Sequence, residues 1–347
     1  MNNNPISIRC ITDPKKGFGN FSRCLILAKE LRKNDHPSIF IINKNKNVIS
    51  ILQKEGFQFK IIKKSKEYSK DYLNIKKILD YMNSSLLIID MREFSENLSR
   101  NLRNQNFHTI IIDDAWVKNV YSDAIINGTI IKEYHNYNLI NKNSKKFVGS
   151  KYFIANQKFK NNKKKISDIQ NKNFFYIVIS IGGSDPHNLT LFIVKSLISI
   201  PNIKILIIIG PFFSKLKKIE NFVKKIKNIS YIVSPPKIWK KFQKADLVIS
   251  NAGNTLFELA IQKVPTACIA TTNHEIPYAK AFSKKGFALN LGNWNTLDST
   301  KTCHSIIKIL SNVQKRRQMC QVGENIVDGK GYQRNIKIIE QYLKSKN

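Results

Sequence analysis

The stretch FFYIVISIGGSDPHNLTLFIVKSLI, which spans residues 174 to 198, decides the fold. It opens with a mostly apolar run of strand length at 174–181, passes through two glycines, and continues into a second apolar segment at 189–198 that is long enough for a helix. A buried strand that turns over glycine into a helix is the repeating unit of a parallel sheet covered by helices. The stretch therefore predicts an α/β fold.

The same alternation extends outward in both directions. Further strands are predicted in the C-terminal half at 204–209, 231–233, 247–250 and 266–269, with helices at 216–226, 256–262 and 276–284. In the N-terminal half the predicted strands are 6–11, 38–42, 59–62, 86–90, 109–112 and 124–126, and the predicted helices are 22–32 and 48–55. A chain of 347 residues suits two such units. We therefore expect two Rossmann-like domains, each with a parallel sheet covered by helices.

The domain boundaries follow from a polar stretch rich in lysine and asparagine. We predict an N-terminal Rossmann-like domain at 1–157, a linker at 158–173, a C-terminal Rossmann-like domain at 174–332 and a final helix at 333–347. The final helix could pack on either domain.

The formal net charge is +34, which suggests nucleic acid, membrane surfaces or anionic substrates as partners. The lysines are spread along the chain, however, and accompany many asparagines and isoleucines. A bias toward AT-rich codons, with lysine on solvent-exposed helix faces, therefore explains most of them. No nucleic-acid-binding motif is present, and no nucleic-acid partner is expected. A weak association with anionic lipid or phosphate stays open.

The five cysteines are scattered and form no CxxC pair, which favours free thiols in a reducing compartment over a disulfide framework or a zinc site. The N-terminus lacks the order of a signal peptide, and the apolar runs are too short to span a membrane. We therefore expect a soluble cytoplasmic protein without a metal or another cofactor.

The first candidate motif is G-F-G-N-F-S-R, residues 17–23, between the first strand and the first helix. Gly17 and Gly19 allow a tight turn, and the helix N-terminus that follows suits a phosphate or a developing negative charge. The alternative is a plain turn in which Asn20 caps the helix. The motif is not the full dinucleotide fingerprint.

Two further motifs lie in the C-terminal half. In S-I-G-G-S-D-P-H-N-L-T, the residues Gly182, Gly183, Ser184 and Asp185 lie between a strand and a helix, which is typical of a phosphate-binding loop. A glycine turn capped by Ser184 or Asp185 is the alternative. In S-N-A-G-N-T-L-F-E-L-A, the candidates at a helix start are Gly253, Asn254, Thr255 and Glu258, and simple capping is again the alternative.

Acidic and histidine residues provide the remaining candidates. Asp113 and Asp114 follow a predicted strand, where catalytic groups of open α/β sheets lie, although a capping pair would look the same. Isolated histidines are more often surface or packing residues than catalysts. His274 is the best exception because it follows a strand end, and His187 lies inside the second motif.

These motifs together resemble a branch of the GT-B superfamily. The resemblance implies a GT-B-like α/β fold, in which two Rossmann-like domains face a cleft. The branch contains the hydrolases that act on UDP-2,4-diacetamido-2,4,6-trideoxy-β-L-altropyranose in pseudaminic acid biosynthesis, and the related spore-coat polysaccharide glycosyltransferases. The enzyme that adds N-acetylglucosamine to make lipid II is a more distant relative. Additional matches, which extend the resemblance over nearly the whole chain, are I-I-D-D at 111–114, S-D-A-I-I-N at 122–127, F-V-G-S-K-Y at 147–152 and V-D-G-K-G at 327–331.

The resemblance implies that UDP binds mainly to the C-terminal domain. Gly253, Asn254 and Thr255 would hold the diphosphate, and Glu258 the ribose. The N-terminal domain would present sugar- or acceptor-facing groups that include Asp114. In the hydrolases, water releases UDP without a metal.

Two positions depart from the family pattern. The first loop of the hydrolases reads G-x-G-H, and its histidine is the proposed general base, whereas this chain has Asn20. Ala155, Asn156 and Gln157 replace a Leu-Arg-Pro segment. The sequence therefore leaves three hypotheses: metal-independent UDP-sugar hydrolysis toward a nonulosonic sugar, glycosyl transfer from a UDP-sugar, and a catalytically silent sugar-nucleotide binding protein. It does not identify the sugar, the acceptor, the general base or the oligomeric state.

Overall fold

The structure is a computed structural model that describes residues 4–10, 19–63, 71–91, 95–103, 105, 107–114 and 117–344. The chain forms two compact units. The first unit contains Met1–Ala155 and Lys330–Asn347, and the second contains Asn156–Gly329. The segment 158–173 therefore belongs to the second unit, and the last helix belongs to the first.

A parallel seven-stranded sheet forms the centre of the first unit. The elements in chain order are β1 (Ile6–Cys10), α1 (Gly19–Lys33), β2 (Ser38–Asn43), α2 (Lys46–Lys54), β3 (Gln58–Ile62), α3 (Asp71–Tyr81), β4 (Leu86–Asp90), α4 (Ser95–Asn101), β5 (His108–Ile112), β6 (Asn119–Val120), β7 (Ala124–Asn127), β8 (Asn138–Leu139) and β9 (Lys145–Val148). The sheet order is β3-β2-β1-β4-β5-β7-β9, while β6 pairs with β8. The order reverses between β1 and β4, so the end of β4 lies at a topological switch point, where open α/β sheets bind ligands.

The second unit contains a parallel six-stranded sheet in the order β12-β11-β10-β13-β14-β15. The elements are α5 (Gln157–Asn161), β10 (Phe175–Ser180), α6 (Leu189–Leu197), β11 (Ile203–Ile209), α7 (Leu216–Val223), β12 (Ile229–Val233), α8 (Ile238–Lys244), β13 (Leu247–Asn251), α9 (Asn254–Gln262), β14 (Thr266–Ala270), α10 (Ile276–Lys284), β15 (Ala288–Asn293), α11 (Ser299–Ser311) and α12 (Val313–Ile326). Here the order reverses between β10 and β13, which places this unit's switch point beside the glycine motifs.

Burial explains why the central strands read as continuous apolar runs. Every residue of β1, β4 and β14 is buried, as expected for strands that are covered by helices on both faces. In the edge strand β3 only Ile62 is buried, and the other residues are exposed or half-buried. The predicted two-domain α/β fold with parallel sheets is confirmed.

The final helix, α13 (Gly331–Lys344), packs on the first unit. The side-chain amide of Asn335 donates to the carbonyl of Tyr152 over 2.8 Å, and the Tyr342 hydroxyl donates to the carbonyl of Asp123 over 3.1 Å. Among the described residues, no helix is both long and apolar enough to cross a membrane. All five cysteines are free thiols, and four of them are buried.

Candidate functional site

Glycines bring three backbone segments close together at the switch point of the second unit. Gly182 has a φ of +68°, and a Cβ there would lie 3.3 Å from Oδ1 of Asn251 at the end of β13. A Cβ on Gly210, which follows β11, would lie 2.5 Å from the Cα of Gly183. A side chain at Gly210 would collide with the backbone of the loop after β10, and one at Gly182 would be strained by its positive φ. The loop therefore depends on glycine for its conformation and its close approach to β11.

Asp185 lies at the end of the same loop, and its carboxylate forms hydrogen bonds within the protein. Its two carboxylate oxygens accept hydrogen bonds from the backbone N–H groups of Leu189, over 2.8 Å, and Thr190, over 2.9 Å. The residue is buried and has a φ of +43°. The carboxylate therefore caps α6, and its negative charge disfavours a phosphate at that helix start. Ser184 precedes it and is half-buried.

Helix α9 begins without such a cap. Gly253 precedes its first residue, and no side chain accepts a hydrogen bond from its first N–H groups among the described residues. Asn254 and Thr255 form the start of the helix and are half-buried. An uncapped helix N-terminus presents N–H donors and a partial positive charge, which together suit a phosphate.

Glu258 lies one turn into α9. Its carboxyl group keeps some exposed surface, yet enough protein surrounds it that burial raises its pKa to about 8. No ion pair or hydrogen bond from another residue of the described ranges reaches it. A half-buried carboxyl group that no described residue hydrogen-bonds can accept hydrogen bonds from a ligand's hydroxyl groups.

Glu275 is a residue of this region that the sequence analysis missed. One carboxylate oxygen accepts from Nδ2 of Asn251 over 2.6 Å, and the other accepts from the N–H and hydroxyl of Thr271, over 2.8 and 2.7 Å. A Cβ on Gly253 would lie 2.8 Å from Nδ2 of Asn251 and 3.1 Å from Oε1 of Glu275. Glu275 thus ties the ends of β13 and β14 together beside the start of α9.

The two candidate histidines of the second unit have aromatic neighbours. His274 belongs to a short 3-10 turn after β14, and its ring centroid lies 5.4 Å from that of Tyr278. His187 is exposed and stacks on Trp294, with centroids 5.3 Å apart and planes tilted by 21°. The structure thus places both histidines in loops that follow strands of the second unit, each beside an aromatic ring.

A cluster of charged groups forms at the switch point of the first unit around Asp90, the last residue of β4. Nε and Nη2 of Arg23, on α1, donate to the two oxygens of Asp90 over 2.6 and 2.7 Å. Nη1 of Arg23 donates to both oxygens of Asp114, over 2.7 and 2.8 Å. Burial opposes the charge on Arg23, but Asp114 and Asp90 outweigh it and raise the pKa of the guanidinium above its usual value.

Asn20 belongs to this cluster. Its side chain is buried, and Nδ2 donates to Oδ1 of Asp90 over 2.5 Å. The neighbouring Cys24 thiol also donates to Asp90, over 3.3 Å, and burial raises the pKa of that thiol well above its usual value. Gly19 is the first residue of α1, whereas Gly17 lies outside the described residues.

Asp113 has a different environment from Asp114. The Tyr137 hydroxyl donates to Oδ2 of Asp113 over 2.7 Å and accepts from Nδ2 of Asn127 over 2.6 Å. The backbone N–H of Val117 donates to Oδ1 of Asp113 over 3.2 Å. Burial and the nearby Asp113 charge raise the pKa of Tyr137. Asp113 is buried and holds the loop after β5, whereas the Asp114 side chain remains 17% exposed.

The structure therefore brings Asn20 and Asp114 together in the first unit through Asp90 and Arg23, which the sequence analysis did not single out. A signal for both residues was present: Arg23 ends the G-F-G-N-F-S-R motif, and Asp90 ends a buried strand at a switch point. Within the described ranges, no group of three or more His, Cys, Asp and Glu side chains could hold a metal ion.

Comparison with known proteins identifies relatives that cover most of the chain. An uncharacterized protein of Methanocaldococcus jannaschii, MJ1062, is 30% identical over 279 residues, which are 76% of this chain and 55% of that protein. The chain thus spans about half the length of that relative. The spore coat polysaccharide biosynthesis protein SpsG of Bacillus subtilis is 23% identical over 94% of this chain and 95% of its own length.

Solved structures share the fold. MurG of Acinetobacter baumannii superposes with a TM-score of 0.71 at 14% identity, covering 97% of this chain and 99% of MurG. MnaA of S. aureus, solved with UDP, superposes with a TM-score of 0.65 at 12% identity, covering 98% of this chain and 97% of MnaA. At these identities the likeness establishes the GT-B fold and no more.

A sequence profile of one family matches the chain directly. The profile of the glycosyltransferase family 28 C-terminal domain matches residues 146–325, which include every glycine motif of the second unit and are more than half of the chain. The chain therefore belongs to the family defined by the glycosyltransferase family 28 C-terminal domain.

Proposed function

We propose that this protein transfers a sugar from a UDP-sugar to an acceptor in the synthesis of a surface polysaccharide. The observation that carries the proposal is the contrast between the two helix starts of the second unit. Asp185 occupies the N-terminus of α6, whereas the N-terminus of α9 has no side-chain cap among the described residues. A diphosphate would therefore bind at α9, against the N–H groups near Gly253 and Asn254.

Glu258 suits the ribose of the same nucleotide. It lies one turn along α9 from the proposed diphosphate site, and no group of the described residues hydrogen-bonds its carboxyl group. A ribose offers two neighbouring hydroxyl donors, which one carboxylate can accept together. The UDP bound to MnaA, which has the same fold, and the family 28 match support UDP as the nucleotide.

The acceptor chemistry would belong to the first unit. Arg23 is fully engaged by Asp90 and Asp114, so it positions those carboxylates and is not free to bind a second anion. Asp114 is the carboxylate of this pair with exposed surface. In transfer it would accept the proton of the attacking acceptor hydroxyl, while the bond between the sugar and UDP breaks and UDP leaves with the electron pair.

Hydrolysis is the second candidate, and the partly exposed Asp114 carboxylate is compatible with it as well. Water would then take the place of the acceptor hydroxyl, and Asp114 would accept its proton. The diacetamido altropyranose nucleotide is the substrate to test first, because the motif pattern resembles the hydrolases that use it. The relative SpsG, by its name, acts in spore coat polysaccharide biosynthesis, which supports a surface polymer as the destination of the sugar. We expect this reaction in the cytoplasm.

The deciding experiment measures UDP release and UDP binding on the same protein. Free UDP that appears from a UDP-sugar only with an acceptor supports transfer, and release without an acceptor supports hydrolysis. At about pH 9, where Glu258 is ionised, calorimetry with UDP should show an affinity that falls about ten- to a hundredfold in Glu258→Ala, because a charge-assisted hydrogen bond contributes roughly 1.5–3 kcal/mol. Tight UDP binding without turnover would favour a silent binding protein, and unchanged UDP affinity would remove Glu258 from the site.

A further inference from the structure

Helix α7 and its flanking residues carry a dense run of lysines at one edge of the second unit. Six lysines are exposed within 13 residues, at positions 215, 217, 218, 224, 225 and 227. The one acidic residue in this segment, Glu220, accepts a hydrogen bond from the Tyr231 hydroxyl over 3.0 Å. We call these six lysines the α7 basic face.

The α7 basic face exceeds the basic background of the chain. Residues 195–244 contain twelve lysines, no arginine and one acidic residue, a net charge of +11 over 50 residues. The other 124 residues of the second unit contain fifteen basic and eight acidic residues, a net charge of +7. A codon bias would act along the whole chain, so it does not account for the scarcity of acidic residues at 195–244.

Packing turns the lysines outward. Ile219 is buried in the core of the second unit, and Leu216, Phe222, Val223 and Ile226 pack against that core. The helix covers β12, the edge strand of the sheet. Because apolar residues at helical spacing hold one side of the segment, the lysines between them project from the other side. No ion pair within the described ranges includes any of the six.

We propose that the α7 basic face docks the protein on an anionic phospholipid surface. Clusters of four to eight basic residues on an amphipathic helix bind anionic lipid headgroups, and each contributes roughly fivefold to the affinity near the surface. Lysine supplies compact point charges for such headgroups, whereas nucleic-acid recognition relies on arginine and on exposed aromatic rings. Arginine is absent from the segment, and its one aromatic ring, Phe222, packs against the core.

Co-sedimentation with lipid vesicles tests this proposal on the full chain. The face variant carries Lys217→Gln, Lys218→Gln, Lys224→Gln and Lys225→Gln. The control variant has the same loss of charge through Lys284→Gln, Lys285→Gln, Lys301→Gln and Lys308→Gln, which are exposed lysines elsewhere in the second unit. The vesicles are pure phosphatidylcholine, or phosphatidylcholine with roughly one-third phosphatidylglycerol, at physiological ionic strength.

The wild type should bind the vesicles that contain phosphatidylglycerol and not the neutral ones. The face variant should bind them roughly a hundred- to a thousandfold more weakly, and the control variant should stay within about fivefold of the wild type. Equal losses in both variants, or no binding by the wild type, would overturn the proposal. The proposal would also be overturned if the wild type bound polyuridylate and not the vesicles, and if the face variant lost that binding to polyuridylate. Retained UDP binding and an unchanged melting temperature would show that both variants fold. Because vesicle binding is measured without a sugar substrate, its outcome can be distinguished from the outcome of the sugar-transfer experiment.

Discussion

The side-chain nitrogen of Asn20 donates to Oδ1 of Asp90 over 2.5 Å, while the same carboxylate accepts two hydrogen bonds from Arg23. The donor role of Nδ2 orients the amide, so its oxygen points away from Asp90. An amide cannot accept a proton at neutral pH. Asn20 is therefore a buried hydrogen-bond donor that holds Asp90 in place. The resemblance to the hydrolases predicts that residue 20 corresponds to their proposed general base.

Asn20→His should raise the rate of hydrolysis of the altropyranose nucleotide. An imidazole at this position could donate its Nδ1–H to Asp90, as the amide nitrogen does, and leave Nε2 free to accept a proton. A positioned base contributes about a hundred- to ten-thousandfold in rate, so an increase toward that range is expected where the substrate fits. UDP release without an acceptor is the measurement.

Asn20→Ala is the matched control for that variant. It removes the hydrogen bond to Asp90 without supplying a base, so it should show no gain in rate. Fast hydrolysis by the wild type that slows in Asn20→His would contradict the assignment of residue 20 to the base position. In that case Asp114 would be the first candidate for the base and His187 the second.

Asp90→Asn should destabilise the first unit strongly. Asp90 is fully buried, and its replacement would leave the buried Arg23 guanidinium with Asp114 as its remaining carboxylate partner. The change removes the charge that strengthens two hydrogen bonds from Arg23. Because a hydrogen bond to a charged group contributes about 1.5–3 kcal/mol, the free energy of unfolding should fall by about 2–4 kcal/mol. Denaturant unfolding measures the change. Asp80→Asn, which removes an exposed pair with Lys76, should change stability by less than about 1 kcal/mol, and a similar effect of both variants would argue against the charged cluster.

UDP binding should strengthen as the pH rises through about 8. Burial raises the pKa of Glu258 to about 8, so much of the group is protonated at neutral pH and the carboxylate that accepts ribose hydroxyls forms above it. Calorimetric titrations between about pH 7 and pH 9 should show the increase in the wild type, and a flat profile in Glu258→Gln. The same slope in the variant would assign the pH dependence to another group.

Glu258 should also make folding stability depend on pH. Its folded pKa of about 8 exceeds the ordinary value of 4.5, so the folded state binds the proton more tightly than the unfolded state. The resulting stability is present below about pH 4.5 and is lost as the pH rises toward 8. The gain in stability of Glu258→Gln over the wild type should therefore grow between about pH 5 and pH 9 in urea unfolding, and a constant difference would contradict the raised pKa.

Activity should survive treatment with EDTA. Helix termini and basic side chains can neutralise the diphosphate, and Asp113 and Asp114 are bound to Tyr137 and Arg23. Loss of UDP release in EDTA that magnesium or manganese restores would refute this prediction, and it would recast the two aspartates as metal ligands.

Much of the fold could be predicted from the sequence, because buried parallel strands must be apolar throughout. The runs at 86–90 and 247–250 become β4 and β13, and the glycine pair at 182–183 follows β10 as predicted. Helices with weaker patterns were missed. Residues 299–326, which form α11 and α12, received no assignment because a helix on the outer layer needs only a narrow apolar stripe.

The sequence by itself determined the α/β class, the doubling of the unit, the glycine turns and the resemblance to GT-B enzymes, since these depend on local residue type and periodicity. Tertiary structure alone decided the partners of the polar groups. Arg23 and Asp90 are 67 residues apart in the chain and meet because α1 and β4 flank the same switch point. Likewise, Asp185 caps α6, whereas Glu258 has no partner among the residues that the structure describes, because the chain packs differently around each carboxyl group. A sequence pattern lists possible donors and acceptors, whereas burial and distance select the pairs that form.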